Sequence, residues 1–210
     1  MRETYNDKVK SWKRPSEIES DSPSLFGSKG ILADGVQQGG LGSCWFLSSC
    51  AALAEYPERV KKLFDEAEYP ADGQLTLNMF LRGQPIKVRI DDRLPYKDEY
   101  SSNGWTYAGS LVNTRKSPNG AYWVPFAEKA MAKLMVDFEN LNGGNQFEGM
   151  NALTGMPTRT VYHEDIKGAD LFDLIKDADE RKWMITGSNY QQIDGLPGGH
   201  AYTVIGTNLL

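Results

Sequence analysis

Residues 44–56 read CWFLSSCAALAEY, and they follow the glycine-rich run QQGGLGS. The run from Cys44 to Tyr56 is apolar or small on nearly every side at helical spacing. Such a helix has no face to give to water and belongs at the centre of a core. A tight glycine turn feeding a buried central helix, with a cysteine as its first residue, is the feature the rest of the chain must accommodate. Cys44 and Cys50 are the only cysteines in 210 residues, which excludes a disulfide framework. On one helix they lie about 240° apart around the axis and roughly 9 Å along it, too far for a bond to each other. We therefore expect two free thiols and a reducing, cytoplasmic compartment.

The flanking segments suggest an α+β chain. Residues 1–35 are polar and rich in Ser, Pro and Gly, and read as a wrapping arm. Pro57 opens a second helix, PERVKKLFDEA, in which Val60, Leu63 and Phe64 share a face. LTLNMFL and IKVRID alternate around RGQP and predict a hairpin. Phe126, Ala130, Leu134 and Phe138 mark the apolar face of a helix with Pro125 in its first turn. The paired glycines of LNGGNQFEG are read as its break. DLFDLIKDADE predicts a short helix, with strands at WMITGS and AYTVIGT. A change of texture near Met156-Pro157 divides a first subdomain, 36–160, from a β-rich second one, 161–210. The N-terminus has no apolar core of a secretory signal, and no apolar run reaches the length of a membrane span. The net charge of -5 argues against nucleic acid as the main partner. No C-x-x-C or His-x-x-x-His pair suggests a zinc site, and no organic cofactor is expected.

A thiolate attacks a carbonyl, and a helix N-terminus and a nearby imidazolium both favour its formation. Cys44 occupies the first of these settings. The Cys44 N–H, unsatisfied at the helix start, suits a developing oxyanion. The Gln38 side chain, six residues earlier across the glycine turn, is a candidate second donor. The base should be a histidine. His200 follows Gly198-Gly199 at the start of a strand, 156 positions after Cys44. His163, between acids in a predicted linker, is the weaker candidate. Papain-like enzymes separate these groups by about 130–150 residues and share the signature C-G-[SA]-C-[WY]. Gly42-Ser43-Cys44-Trp45 matches it, with Leu41 in place of the first cysteine. A lone buried cysteine is ordinarily a small core hydrophobe, which is the reading of Cys50.

At this point the chain resembles the calpain family of papain-like cysteine proteases. The resemblance rests on WKRPSEI, QGGLGSCWFLSSCAALAE, IDDRLPY, WVPFAEKAMAKL, LNGGNQFEGMNALTGMPT and GGHAYTVIG, in that order between Trp12 and Gly206. It implies a papain-like two-subdomain core: a helical first subdomain carrying Cys44, then a truncated β-rich second subdomain carrying His200. It implies that Gln38 donates to the oxyanion and that Gly144 and Gly199 line the cleft, where an extended protein substrate pairs in β fashion. Many calpains are calcium-activated through a core site of backbone carbonyls, an aspartate and a helix glutamate. The resemblance implies Glu128 as that glutamate, Gly30 as a carbonyl ligand, and Asp34, beside Gly35 at the aspartate position. Ser43 stands where calpains commonly carry aspartate. The family orients its histidine with an asparagine some two dozen positions further on. Asn208 is too near His200 to be that residue, so a longer chain with further domains is expected. A calpain-like scaffold or peptide-binding module without catalysis is the alternative. Transglutamination and ubiquitin-like isopeptide cleavage are more distant ones.

Overall fold

The computed structural model describes residues 8–98, 100–102 and 105–207. The polypeptide is an α+β assembly of helices and small antiparallel sheets. Its elements are β1 (Ser11–Lys13), α1 (Pro15–Ile18), α2 (Cys44–Ala54), α3 (Pro57–Leu63), β2 (Gln74–Leu81), β3 (Gln84–Asp91), β4 (Leu94–Lys97), β5 (Tyr100–Ser102), β6 (Trp105–Tyr107), β7 (Ser110–Leu111), α4 (Trp123–Leu134), α5 (Gln146–Thr154), α6 (Gly168–Glu180), β8 (Thr186–Asn189) and β9 (His200–Thr203). Short 3₁₀ turns cover Ala33–Gly35 and Glu139–Leu141.

Helix α2 is central, as its composition requires. Trp45, Phe46, Leu47, Ser48, Ser49, Cys50, Ala52, Leu53 and Ala54 are all buried. It packs against α5, β9, α3 and α4. Pro57 starts α3 at its first position, and the helix stops at Leu63; Phe64 turns away to bridge Leu77. Val60, Leu63 and Phe64 are buried together.

The hairpin β2–β3 runs in register from Gln74↔Asp91 to Leu81↔Gln84. Its turn is shorter than the predicted RGQP. Arg82 and Gly83 alone make it, both at positive φ (52° and 76°), and Pro85 already pairs with Phe80. Twin left-handed residues are what a two-residue hairpin loop needs. Alternation sends Leu75, Leu77, Met79, Val88 and Ile90 into the core. Each such side chain is stabilised by about 1.5–3 kcal/mol relative to exposure.

The arm is secured by specific contacts. Ser11–Lys13 adds a strand to β4, which also pairs with β7. Leu25 and Ile31 reach the core. The carbonyls of Ser24 and Leu25 accept the amides of Tyr122 (3.1 Å) and Trp123 (3.0 Å). These are donors that the start of α4 leaves without helical partners. The arm thus caps a helix whose own N-cap side chain does not.

Four readings of the sequence need correction. Phe138 is buried but lies beyond α4, which ends at Leu134; Val136 at φ 79° carries the chain off the helical path. LNGGNQFEG does not simply break structure, because α5 begins at Gln146. Asn145 and Glu148 form a capping box, each side chain satisfying the other's backbone N–H. Beyond residue 160, the described chain holds one thirteen-residue helix, α6, and two four-residue strands. It is not β-rich over the residues described. The strand expected from Trp183 starts at Thr186, after Lys182 at φ 58°. Asn208 lies outside the described residues.

Candidate active site

The turn before α2 is built from three distant segments. Residues 37–40 run antiparallel to 112–115: Arg115 N–H donates to the Gln37 carbonyl (3.0 Å), and Gly40 N–H to that of Val112 (2.8 Å). At Gly39 the fit is so close that a Cβ would overlap the Asn113 carbonyl. Asn142 holds Gly42, its Oδ1 accepting from the Gly42 N–H at 3.1 Å, and Gly143 N–H returns a bond to the Gly42 carbonyl at 2.8 Å. The Trp45 indole donates to the Leu141 carbonyl at 3.0 Å.

Cys44 is the first residue of α2 and is half-buried, whereas Cys50 is fully buried; both are free thiols. Burial pushes the Cys50 thiol well above its usual range, and the nearby Glu128 carboxyl adds to this. Ser43 is the N-cap, and its carbonyl accepts from Phe46 (2.9 Å) and Leu47 (3.0 Å). Its side chain does not cap the helix. The first-turn amides, that of Cys44 among them, therefore receive nothing from the Ser43 hydroxyl. Gln38 Nε2 donates to the Leu41 carbonyl at 2.7 Å. That bond uses one amide hydrogen, fixes the side chain over the turn, and leaves its second N–H for another acceptor.

His200 is the first residue of β9, paired opposite Asn189 of β8. Its ring meets Tyr202 edge-on at 4.9 Å. Strand β9 is moored to α2 by Thr203 Oγ1, which donates to the Ser48 carbonyl at 2.7 Å, one helical turn beyond Cys44. Gln146 Nε2 donates to the Gly187 carbonyl (3.0 Å), tying β8 to the start of α5. Gly199 N–H bonds the Asn189 carbonyl at 2.7 Å, and no atom stands where its Cβ would be. Gly144 lies flat on the Trp45 indole, where a Cβ would come within 2.5 Å of the ring. His163 is exposed in the turn before α6, on a different segment from these.

The calcium candidates have other company. Glu128 is 1% exposed. Its Oε1 accepts from Ser43 Oγ at 2.5 Å and its Oε2 from Thr114 N–H at 3.0 Å. Burial raises its carboxyl above the usual range, against the pull of those donors. Each Glu128 oxygen thus holds one protein donor. The Gly30 carbonyl accepts from Asn119 Nδ2 at 2.7 Å, and Asp34 is exposed in the 3₁₀ turn. Among the described residues, no group of three or more His, Cys, Asp or Glu side chains gathers as a metal site. No helix among them is long and apolar enough to cross a membrane.

Sequence reasoning missed Asn142 and the Ser43–Glu128–Thr114 link. Their partners are far apart in the chain, and only the capping box after LNGG left a local signal.

A family model described as calpain family cysteine protease matches residues 1–210. Human Calpain-14 is 32% identical over 202 residues, covering 93% of this chain and 28% of its own length. Calpain-B of Drosophila melanogaster is 32% identical over 211 residues, covering 94% and 21%. Human Calpain-12 is 27% identical over 206 residues, covering 94% and 27%. The chain thus spans about a quarter of the length of these curated relatives. With a match along its whole length, the chain belongs to the calpain family of cysteine proteases.

Proposed function

We propose that the chain carries the nucleophile and the histidine of an intracellular cysteine endopeptidase acting on protein substrates. The observation that carries this reading is the mooring of β9, which starts at His200, onto α2, which starts at Cys44, under a turn that holds Gln38 in place. His200 accepts the Cys44 proton, giving a thiolate–imidazolium pair. The sulfur bonds to the peptide carbonyl carbon while Gln38 Nε2–H and the Cys44 N–H hold the oxyanion. As the C–N bond breaks, His200 returns the proton to the leaving amine. Water then cleaves the thioester and restores the thiol. Gly144 and Gly199 serve as bare backbone beside an extended substrate. In this reading residues 36–160 are the helical subdomain of a papain-like core that carries the nucleophile, residues 161–210 are the start of the second subdomain that carries the histidine, and residues 1–35 are an arm.

Two free thiols support a reducing, cytoplasmic setting. Calcium activation is a separate proposal resting on family membership alone, and a calcium titration of turnover tests it. No step above passes through the ion.

The test is loss of peptide turnover in Cys44→Ala and in His200→Ala of the full-length protein. Full activity in either variant would sink the assignment. An unaltered protein that binds peptides without cleaving them would favour a non-catalytic calpain-like module.

A further inference from the structure

Glu128 is a buried carboxyl that the proposed mechanism does not use. It joins the two pieces of backbone on which that mechanism depends. One is Ser43, whose hydroxyl it accepts at 2.5 Å and whose neighbour is Cys44. The other is Thr114, whose amide it accepts at 3.0 Å. Thr114 lies in the segment that grips the oxyanion loop on both sides, through Arg115–Gln37 and Val112–Gly40. The Gly39 backbone presses directly on Asn113. A carboxylate has two acceptor oxygens and can hold two donors at once. Neither bond is a generic core contact, because Ser43 is fully buried and its hydroxyl gives up the usual capping role to make this one.

We infer that Glu128 is a positioning residue, which sets the spacing between the Cys44 amide and the Gln38 loop by clamping Ser43 to Thr114. This rests on the reading of Cys44 as nucleophile. Glu128 touches no substrate. It keeps two oxyanion donors, carried on separate segments, at one fixed separation. A serine at position 43 is what makes the clamp available, since its hydroxyl both donates and accepts.

That last property supplies a rescue. In Glu128→Gln, the amide oxygen takes the Thr114 N–H and the amide nitrogen donates to Ser43 Oγ, so both links survive. In Ser43→Ala one link is lost with little change in volume. In Glu128→Ala both are lost.

The experiment compares two reagents on the chain, with labelling at Cys44 and Cys50 separated by mass spectrometry. Iodoacetamide needs only an accessible thiolate. A peptidyl chloromethyl ketone needs its carbonyl seated against the oxyanion donors, before the sulfur displaces chloride. We expect Ser43→Ala to slow ketone labelling of Cys44 about tenfold, in line with loss of one hydrogen bond to a charged group, and to leave iodoacetamide labelling within about twofold. Glu128→Gln should stay near the unaltered rate with both reagents. Glu128→Ala combined with Ser43→Ala should be no slower than Glu128→Ala alone. A folded Ser43→Ala chain with unchanged ketone labelling overturns the positioning role and leaves the nucleophile reading intact. An unaltered chain in which Cys44 reacts no faster than Cys50 overturns the nucleophile reading, and this inference with it.

Discussion

Asp92, from the segment IDDRLPY, is 2% exposed and holds the arm to the hairpin. Its Oδ1 accepts from Arg14 Nη1 at 2.5 Å, and its Oδ2 accepts from the Tyr69 hydroxyl. Its own amide bonds the Gly73 carbonyl at 2.8 Å. Replacing Asp92 with alanine strands a guanidinium and a phenol at once. Removing one member of a buried ion pair costs about 3–5 kcal/mol. The Arg14 side chain is 34% exposed and can recover some hydration. That discount is partly offset by the orphaned Tyr69 hydroxyl, worth about 1–3 kcal/mol when buried. The balance is a loss of about 2–4 kcal/mol.

For a chain of this length, that is roughly a 5–15 °C fall in Tm. With a urea slope of about 2 kcal/mol/M, the midpoint falls by ~1–2 M. Asp92→Asn keeps an acceptor for Tyr69 and loses only the charge, so it should fall between the two. Arg14→Ala and Asp92→Ala should combine less than additively, since they break the same contact. Limited proteolysis supplies the local readout, because cleavage within residues 14–35 should accelerate in each variant. Asp92→Ala and Asp92→Asn both melting within 2 °C of the unaltered chain, with no faster arm cleavage, would refute the reasoning.

Thr203→Val is nearly isosteric and deletes the bond to the Ser48 carbonyl. At about 1 kcal/mol, it should speed amide exchange in β8 and β9 roughly fivefold without moving the core amides. Gly39→Ala places a methyl against the Asn113 carbonyl, so it should displace the Gln38 loop and abolish turnover while α2 stays protected from exchange. Phe126→Ala empties a fully buried site in α4 and should cost about 3–5 kcal/mol in denaturant titration. Burial, then the hydrogen bonds to Asp92 and Glu19, raise Tyr69 and Tyr122 above the ordinary value of 10.0. Unfolded tyrosines release protons above that value while the folded ones keep them. Stability should therefore fall as pH rises past about 10 toward the folded values, and Tyr69→Phe with Tyr122→Phe should flatten the fall.

The parts of the fold legible in the sequence are those with a strong internal period. Helix α2 announces itself by lacking a polar face, and β2–β3 by strict alternation, so both are placed within a residue or two. Helix α5 was obscured because Gly143 and Gly144 look like a simple break, although Asn145 and Glu148 spell a capping box immediately afterwards. Strands β1, β4 and β7 are two to four residues long and find partners as distant as Ser11↔Tyr96, leaving no local pattern to read. The candidate site divides in the same way. Cys44, Gln38 and His200 stand out because each has telling neighbours in sequence. Glu128 stands out in sequence through the family resemblance alone, and its tie to Ser43 left no local signal because the two lie 85 positions apart.

The two sides of the candidate site are supported unequally. Cys44 opens a helix buried on every side, and its turn is held by Val112, Arg115, Asn142 and Glu128. His200 opens a four-residue strand in a two-stranded sheet, where only Ala201 of β9 is buried. Helix α6 buries no residue. Local opening follows buried apolar contact, so the two sides should open with different free energies. The turn before Cys44 is preorganised by the core. The placement of His200 depends on β9 staying docked, and Thr203 supplies a side-chain bond from β9 to α2. Conditions that strengthen β8–β9 should therefore raise the reaction rate at Cys44 with carbonyl probes more than its rate with iodoacetamide. Equal gains with both reagents would show that docking of β9 does not limit the chemistry.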